Sequence, residues 1–136
     1  MPANSLNNEL LKKVMDKLKK NYKLIAVILF GSRARGDFKP WSDYDLLVIA
    51  DFSEKYLDRV GKLLEILDSG LVEPHPYTLE EAVEMLKKGN PTIIDALSEG
   101  VILYENEEFK AIKAIYEEMV RKGLKRSKVS IVLPDE

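Results

Sequence analysis

Apolar residues recur along this chain with two different periods. Leu6, Leu10, Leu11, Val14, Met15 and Leu18 fall at helical spacing with lysines between them. That spacing predicts an amphipathic helix over 6–21 whose stripe is core. Positions 23–30 are almost uninterrupted apolar chain, as are 44–50 after their first two residues. Runs of this kind read as strands covered on both faces. A helix is predicted over 53–68, capped by Ser53, with Leu57, Val60, Leu63, Leu64 and Leu67 inward and Ser69-Gly70 as its stop. Strand 71–77 follows. Its Pro74 and Pro76 lack N–H donors on the same side, so it should be an edge strand pairing through 73 and 75. Leu71, Glu73, His75 and Tyr77 would share one face.

Thr78 and Glu81 form a capping-box pattern that opens a helix to about 88. Asn90-Pro91 opens another, carrying Ile93, Ile94, Ala96 and Leu97 and stopped by Gly100. A short fourth strand over 101–104 and a helix over 107–121 complete the regular elements, with Phe109, Ile112, Ile115, Tyr116, Met119 and Val120 as the last stripe. The tail carries Lys122, Lys125, Arg126 and Lys128, then the apolar run 129–133. The basic residues read as a solvated terminus, with a partner or RNA contact as the alternative. The apolar run would add a strand to its own sheet or to another chain.

Composition narrows this picture. A chain of 136 residues makes one domain, with a core over 6–122 and a tail over 123–136. It has no cysteine, so no disulfide or thiolate metal site, and its one histidine excludes a His-rich zinc site. No apolar run approaches the roughly 20 residues of a membrane span, and no signal peptide is visible, so a cytoplasmic location is expected. A net charge of −2 argues against nucleic-acid binding by broad electrostatic attraction.

The chemistry concentrates where the first strand ends. Gly31 permits a sharp turn and close approach to a ligand. Ser32 begins a segment whose N–H groups and hydroxyl suit a phosphate, with Arg33 and Arg35 adding positive charge. Asp43 and Asp45 share one face of the second strand, roughly 6.6 Å apart along it. Taken singly, a Gly-Ser turn and an Asp-x-Asp strand start are ordinary structural features. Together they suit a hard divalent cation with substrate phosphate, and so phosphoryl or nucleotidyl chemistry in which two metals clamp an in-line displacement. Trp41 reads as a loop anchor, with stacking on a base as the alternative.

The segments Phe30-Gly31-Ser32-Arg33-Ala34-Arg35-Gly36 and Ser42-Asp43-Tyr44-Asp45-Leu46-Leu47-Val48 resemble the signature of the DNA polymerase beta-like nucleotidyltransferase superfamily. The likeness is to its minimal, single-domain branch, which includes the MNT halves of MNT/HEPN toxin–antitoxin pairs. It is close over 30–48 and looser from 72 to 101. It implies an α+β fold of the polymerase beta-like type, a small mixed sheet with helices packed against it. It also implies Mg2+-dependent transfer of a nucleoside monophosphate from an NTP, ATP foremost, to an acceptor hydroxyl, through a two-metal site with Mn2+ as the alternative ion. The superfamily carries a third carboxylate on the strand beside Asp-x-Asp, as general base or metal ligand. By position Glu73 fills that place, against the bland reading of a surface glutamate on an edge strand.

The implied catalytic and metal-holding set is therefore Asp43, Asp45 and Glu73, and the phosphate-binding set is Gly31, Ser32, Arg33 and Arg35. His75 reads as structural, with proton transfer or phosphate contact as its functional alternative. The resemblance further implies a HEPN-type partner protein that carries the acceptor, making this chain antitoxin-like. Two other readings stand beside it. One is an interaction domain that binds such a partner with chemistry secondary or absent. The other is a transferase acting on a small molecule of the antibiotic type, though such enzymes usually carry a larger substrate domain. A half-built cleft suggests a dimer or heterocomplex.

Overall fold

The computed structural model describes residues 8–126 and 131–134. Four strands form one mixed sheet: β1 (Leu24–Phe30), β2 (Tyr44–Ala50), β3 (Val72–Tyr77) and β4 (Val101–Glu105), in the order β3-β2-β1-β4. β1 runs antiparallel to both β2 and β4, and β2 pairs parallel with β3. This is the α+β architecture expected.

Every residue of β1 is buried because both faces of the sheet are covered. On one face, Val27, Leu29, Leu46 and Val48 pack with Leu11, Val14 and Leu18 of α1 (Asn8–Asn21) and with Leu63 and Leu67 of α3 (Tyr56–Leu67). On the other, Ala26, Ile28, Leu47 and Ile49 meet α4 (Leu79–Lys87), α5 (Pro91–Glu99) and α6 (Phe109–Arg121) through Leu86, Ile93, Ile94, Phe109 and Ile112. Fully burying one such side chain stabilises the fold by about 1.5–3 kcal/mol. The short α2 (Ser32–Arg35) sits between β1 and β2 and ends at Gly36 in the left-handed conformation.

The β2–α3–β3 crossover positions the chemistry. Parallel pairing aligns Asp45 with Glu73 and Leu47 with His75, so both strands begin at the same end of the sheet. β3 lies at the sheet edge, where its two prolines are tolerated. The capping box of α4 forms as expected, with Thr78 accepting from the Glu81 N–H and Glu81 accepting from the Thr78 N–H. Asn90 caps α5 by accepting from the N–H groups of Thr92 and Ile93, with Pro91 in the first turn.

Several expectations fail, each for a physical reason. Ser53 does not cap α3, which starts at Tyr56 after Lys55 with no side-chain cap. Leu57 and Leu64, expected inward, are 81% and 47% exposed. α3 is turned so that Leu63 and Leu67 are buried as expected, with Arg59 buried beside them in place of Leu57 and Leu64. Arg59 can be buried because its guanidinium reaches both Glu81 oxygens, at 2.6 and 3.3 Å, donates to the Glu54 carbonyl, and lies over the Phe52 ring. Trp41, expected as a loop anchor, is 75% exposed. In the tail, Ile131–Val132 pairs antiparallel with Lys125–Arg126 as a separate two-stranded ladder rather than joining the main sheet. Leu6, Lys128 and Val129 lie outside the described residues.

Candidate active site

β1 delivers its last residue, Phe30, opposite Asp45 of β2. The next residue, Gly31, turns the chain at φ 78°, ψ −159°. That region is open essentially to glycine alone. A Cβ there would also lie 2.6 Å from Asp45 Oδ2, so the backbone of the turn touches the carboxylate directly. The carbonyl of Gly31 accepts from the N–H groups of Ala34 and Arg35, which closes α2 behind it.

Asp45, Glu73 and His75 each offer a ligand atom, and these atoms all lie within 4.8 Å of one another. His75 Nε2 is 3.3 Å from Asp45 Oδ1. The imidazole also stands edge-on to Phe30, with ring centroids 5.1 Å apart. Among the described residues, neither Asp45 nor Glu73 is paired with a lysine or arginine. The Glu73 carboxyl titrates above the ordinary glutamate range. Its hydrogen bond with Asp45 is the main cause, then burial and the Asp45 charge; His75 pulls the other way and the Asp43 charge adds a little. Two carboxylates this close resist joint ionisation unless a cation joins them.

The structure thus brings together two of the three expected carboxylates and adds a histidine. Asp43 immediately precedes β2, is exposed and lies outside the close cluster, near enough for its charge to act on Glu73. His75 was legible only as the residue two beyond Glu73 on the same strand face.

The two arginines differ. Arg33 is buried, donating to the carbonyls of Ser42 and Pro40 at 3.2 and 3.4 Å. Its guanidinium lies 4.2 Å from the Phe38 ring centre and 4.4 Å from that of Tyr44. It clamps the loop that leads into Asp43. Arg35 is partly exposed, 3.2 Å from Asp37 and 3.6 Å from Glu99. Both carboxylates hold its pKa up, the Asp37 hydrogen bond most.

The donor set fits a hard divalent ion. Octahedral ligands at about 2.1 Å from a metal stand about 3 Å apart when adjacent and about 4.2 Å when opposite, so a spread of 4.8 Å closes with small side-chain shifts. Among the described residues no helix is long and apolar enough to cross a membrane.

Comparison with known proteins places the chain in a family. The chain is 34% identical over 116 residues to a candidate protein adenylyltransferase of Methanocaldococcus jannaschii, covering 80% of this chain and 78% of that one. Its fold matches a chain in the structure of the tri-AMPylated Shewanella oneidensis HEPN toxin in complex with MNT antitoxin, with a TM-score of 0.53 and 20% identity over 85% of this chain and 87% of that chain. It also matches a chain of a toxin–antitoxin crystal structure with AMP-PNP, with a TM-score of 0.52 and 23% identity over 85% of this chain and 88% of that chain. These structural likenesses establish the fold. The nucleotidyltransferase domain model matches residues 11–127, spanning the glycine turn, both aspartates and Glu73, and the chain belongs to the nucleotidyltransferase domain family.

Proposed function

We propose that this chain is a metal-dependent nucleotidyltransferase that moves AMP from ATP to a hydroxyl on a partner protein of the HEPN type. The observation that carries the reading is the convergence of Asp45 and Glu73 from neighbouring parallel strands, free of lysine or arginine among the described residues, against a glycine turn. The name of the M. jannaschii relative supports a protein acceptor. The toxin–antitoxin neighbours suggest which class of partner.

Asp43, Asp45 and Glu73 would hold a divalent ion, which when bound supplies charge neutralisation at the transferring phosphoryl group. Gly31 and Ser32 place backbone and hydroxyl groups for the outer phosphates. Arg33 acts by holding the loop before Asp43, while Arg35 can exchange its exposed carboxylate partners for phosphate oxygen. With one carboxylate oxygen on the ion, Glu73 is placed to accept the proton of the acceptor hydroxyl on the other. As that oxygen bonds to the α-phosphorus, the bond to the bridging oxygen breaks and pyrophosphate leaves. Rate then comes mostly from positioning and electrostatics.

The test uses ATP labelled at its α-phosphate, Mg2+, and the purified chain with co-purifying proteins as acceptors. Label should move to a protein partner, and Asp43→Asn or Asp45→Asn should lose several orders of magnitude of turnover with an unchanged circular dichroism spectrum. Full activity in either variant refutes the assigned roles.

A further inference from the structure

His75 is the member of the close cluster that an all-oxygen site does not need. It reaches the carboxylates by the same geometry that brings Glu73 there. Two residues further along β3, it lies on the same face of the sheet, opposite Leu47 where Glu73 is opposite Asp45. Its Nε2 stands 3.3 Å from Asp45 Oδ1, and the ligand atoms of all three residues fall within 4.8 Å of one another. The ring is held against its neighbours. It is about one-fifth exposed and rests edge-on against Phe30, itself buried at the end of β1.

We infer that His75 is a nitrogen ligand of the metal held by Asp45 and Glu73, so that this position favours a first-row transition ion, with Mn2+ as the probe, over Mg2+. The inference rests on the metal-dependent reading above and specifies which ion that reading takes. Mg2+ demands oxygen ligands and gives up its waters reluctantly. Imidazole suits transition ions, whereas carboxylate and water suit Mg2+ and Mn2+ alike. A set of two carboxylates and one imidazole therefore adds, through its nitrogen, a donor that a transition ion accepts more readily than Mg2+ does. Phe30 and the sheet keep that nitrogen in reach before any ion arrives, so little ordering is left for binding to impose.

The chain's single histidine makes the test direct, since any histidine nitrogen on the metal must belong to His75. Tag-free protein is prepared with natural and with 15N-labelled histidine, loaded with Mn2+ and a non-hydrolysable ATP analogue, and measured by electron spin-echo envelope modulation. The expected spectrum shows a coupled nitrogen whose frequencies change with the 15N label. In competition, Mg2+ should need roughly tenfold excess or more to displace Mn2+, and His75→Gln should erase most of that preference while Mg2+ affinity holds. The wild-type spectrum answers the question even where His75→Gln folds poorly. Mn2+ bound without histidine coupling overturns the nitrogen ligand and leaves the carboxylate site standing. Failure of the wild type to bind either ion overturns both.

Discussion

Gly31→Ala is the substitution that most sharply separates this site from an ordinary strand turn. Gly31 sits at φ 78°, ψ −159°, a region that costs a non-glycine residue about 1–3 kcal/mol. Its added Cβ would meet Asp45 Oδ2 at 2.6 Å, so Asp45 must swing away from Glu73 and His75. Because the atom met is the end of a movable side chain, the stability loss should stay near the backbone cost. For a chain of 136 residues it lowers the melting temperature by roughly 3–5 °C per kcal/mol, or roughly 3–15 °C in all. Metal affinity should fall with it, because the displaced carboxylate is a ligand. A double-mutant cycle isolates the contact. In an Asp45→Ala background the oxygen is gone, and Gly31→Ala should cost only its backbone part. Thermal and urea unfolding, with Mn2+ titration of each variant, measure all of this. A Gly31→Ala protein that melts within a degree of wild type and binds metal normally would refute the close approach of the turn to Asp45.

Asp45→Asn should raise the melting temperature of metal-free protein while removing activity, because it relieves repulsion between Asp45 and Glu73; a lower melting temperature would contradict that. Arg33→Lys should lose the flat stacking on Phe38 and Tyr44 and the paired carbonyl contacts. The expected cost is about 1–2 kcal/mol, with faster proteolysis within 36–43. The Glu81 carboxyl is held below the ordinary glutamate range, chiefly by its Arg59 hydrogen bond. A depressed folded-state pKa stabilises above the unfolded value and is lost as pH falls through the folded one. Glu81→Gln should accordingly flatten the loss of stability below about pH 4.5 seen in urea midpoints, and an unchanged acid slope would count against the pairing.

The strands and the glycine turn were readable because their signals are local. A two-face-buried strand needs a continuous apolar run, and β1 and β2 have one. Carboxylates at period two mark a strand start of the kind that can hold a metal; Asp43 and Asp45 show that period, and Asp45 alone of the two joins the close cluster. The prolines of β3 announced an edge by what they lack. Reading failed where the deciding contact is distant. A leucine-rich helix offers overlapping apolar stripes, and which one turns inward on α3 is settled by Arg59 finding Glu81, twenty-two residues on. Arg33 looked like a phosphate ligand from its place in the motif. Its burial depends on Phe38 and Tyr44 folding over it, which no spacing rule reveals. His75 carried a usable signal, its period with Glu73, but the parallel register that brings it to Asp45 is a property of the crossover, not of either segment.

The most direct test is calorimetric titration of the wild-type chain and Asp45→Asn with a non-hydrolysable ATP analogue, with and without divalent ion. The geometry predicts tight binding only for wild type in the presence of the ion, and its loss in Asp45→Asn. Equal affinity without metal, or binding untouched by Asp45→Asn, would contradict a nucleotide site built on the facing carboxylates of β2 and β3.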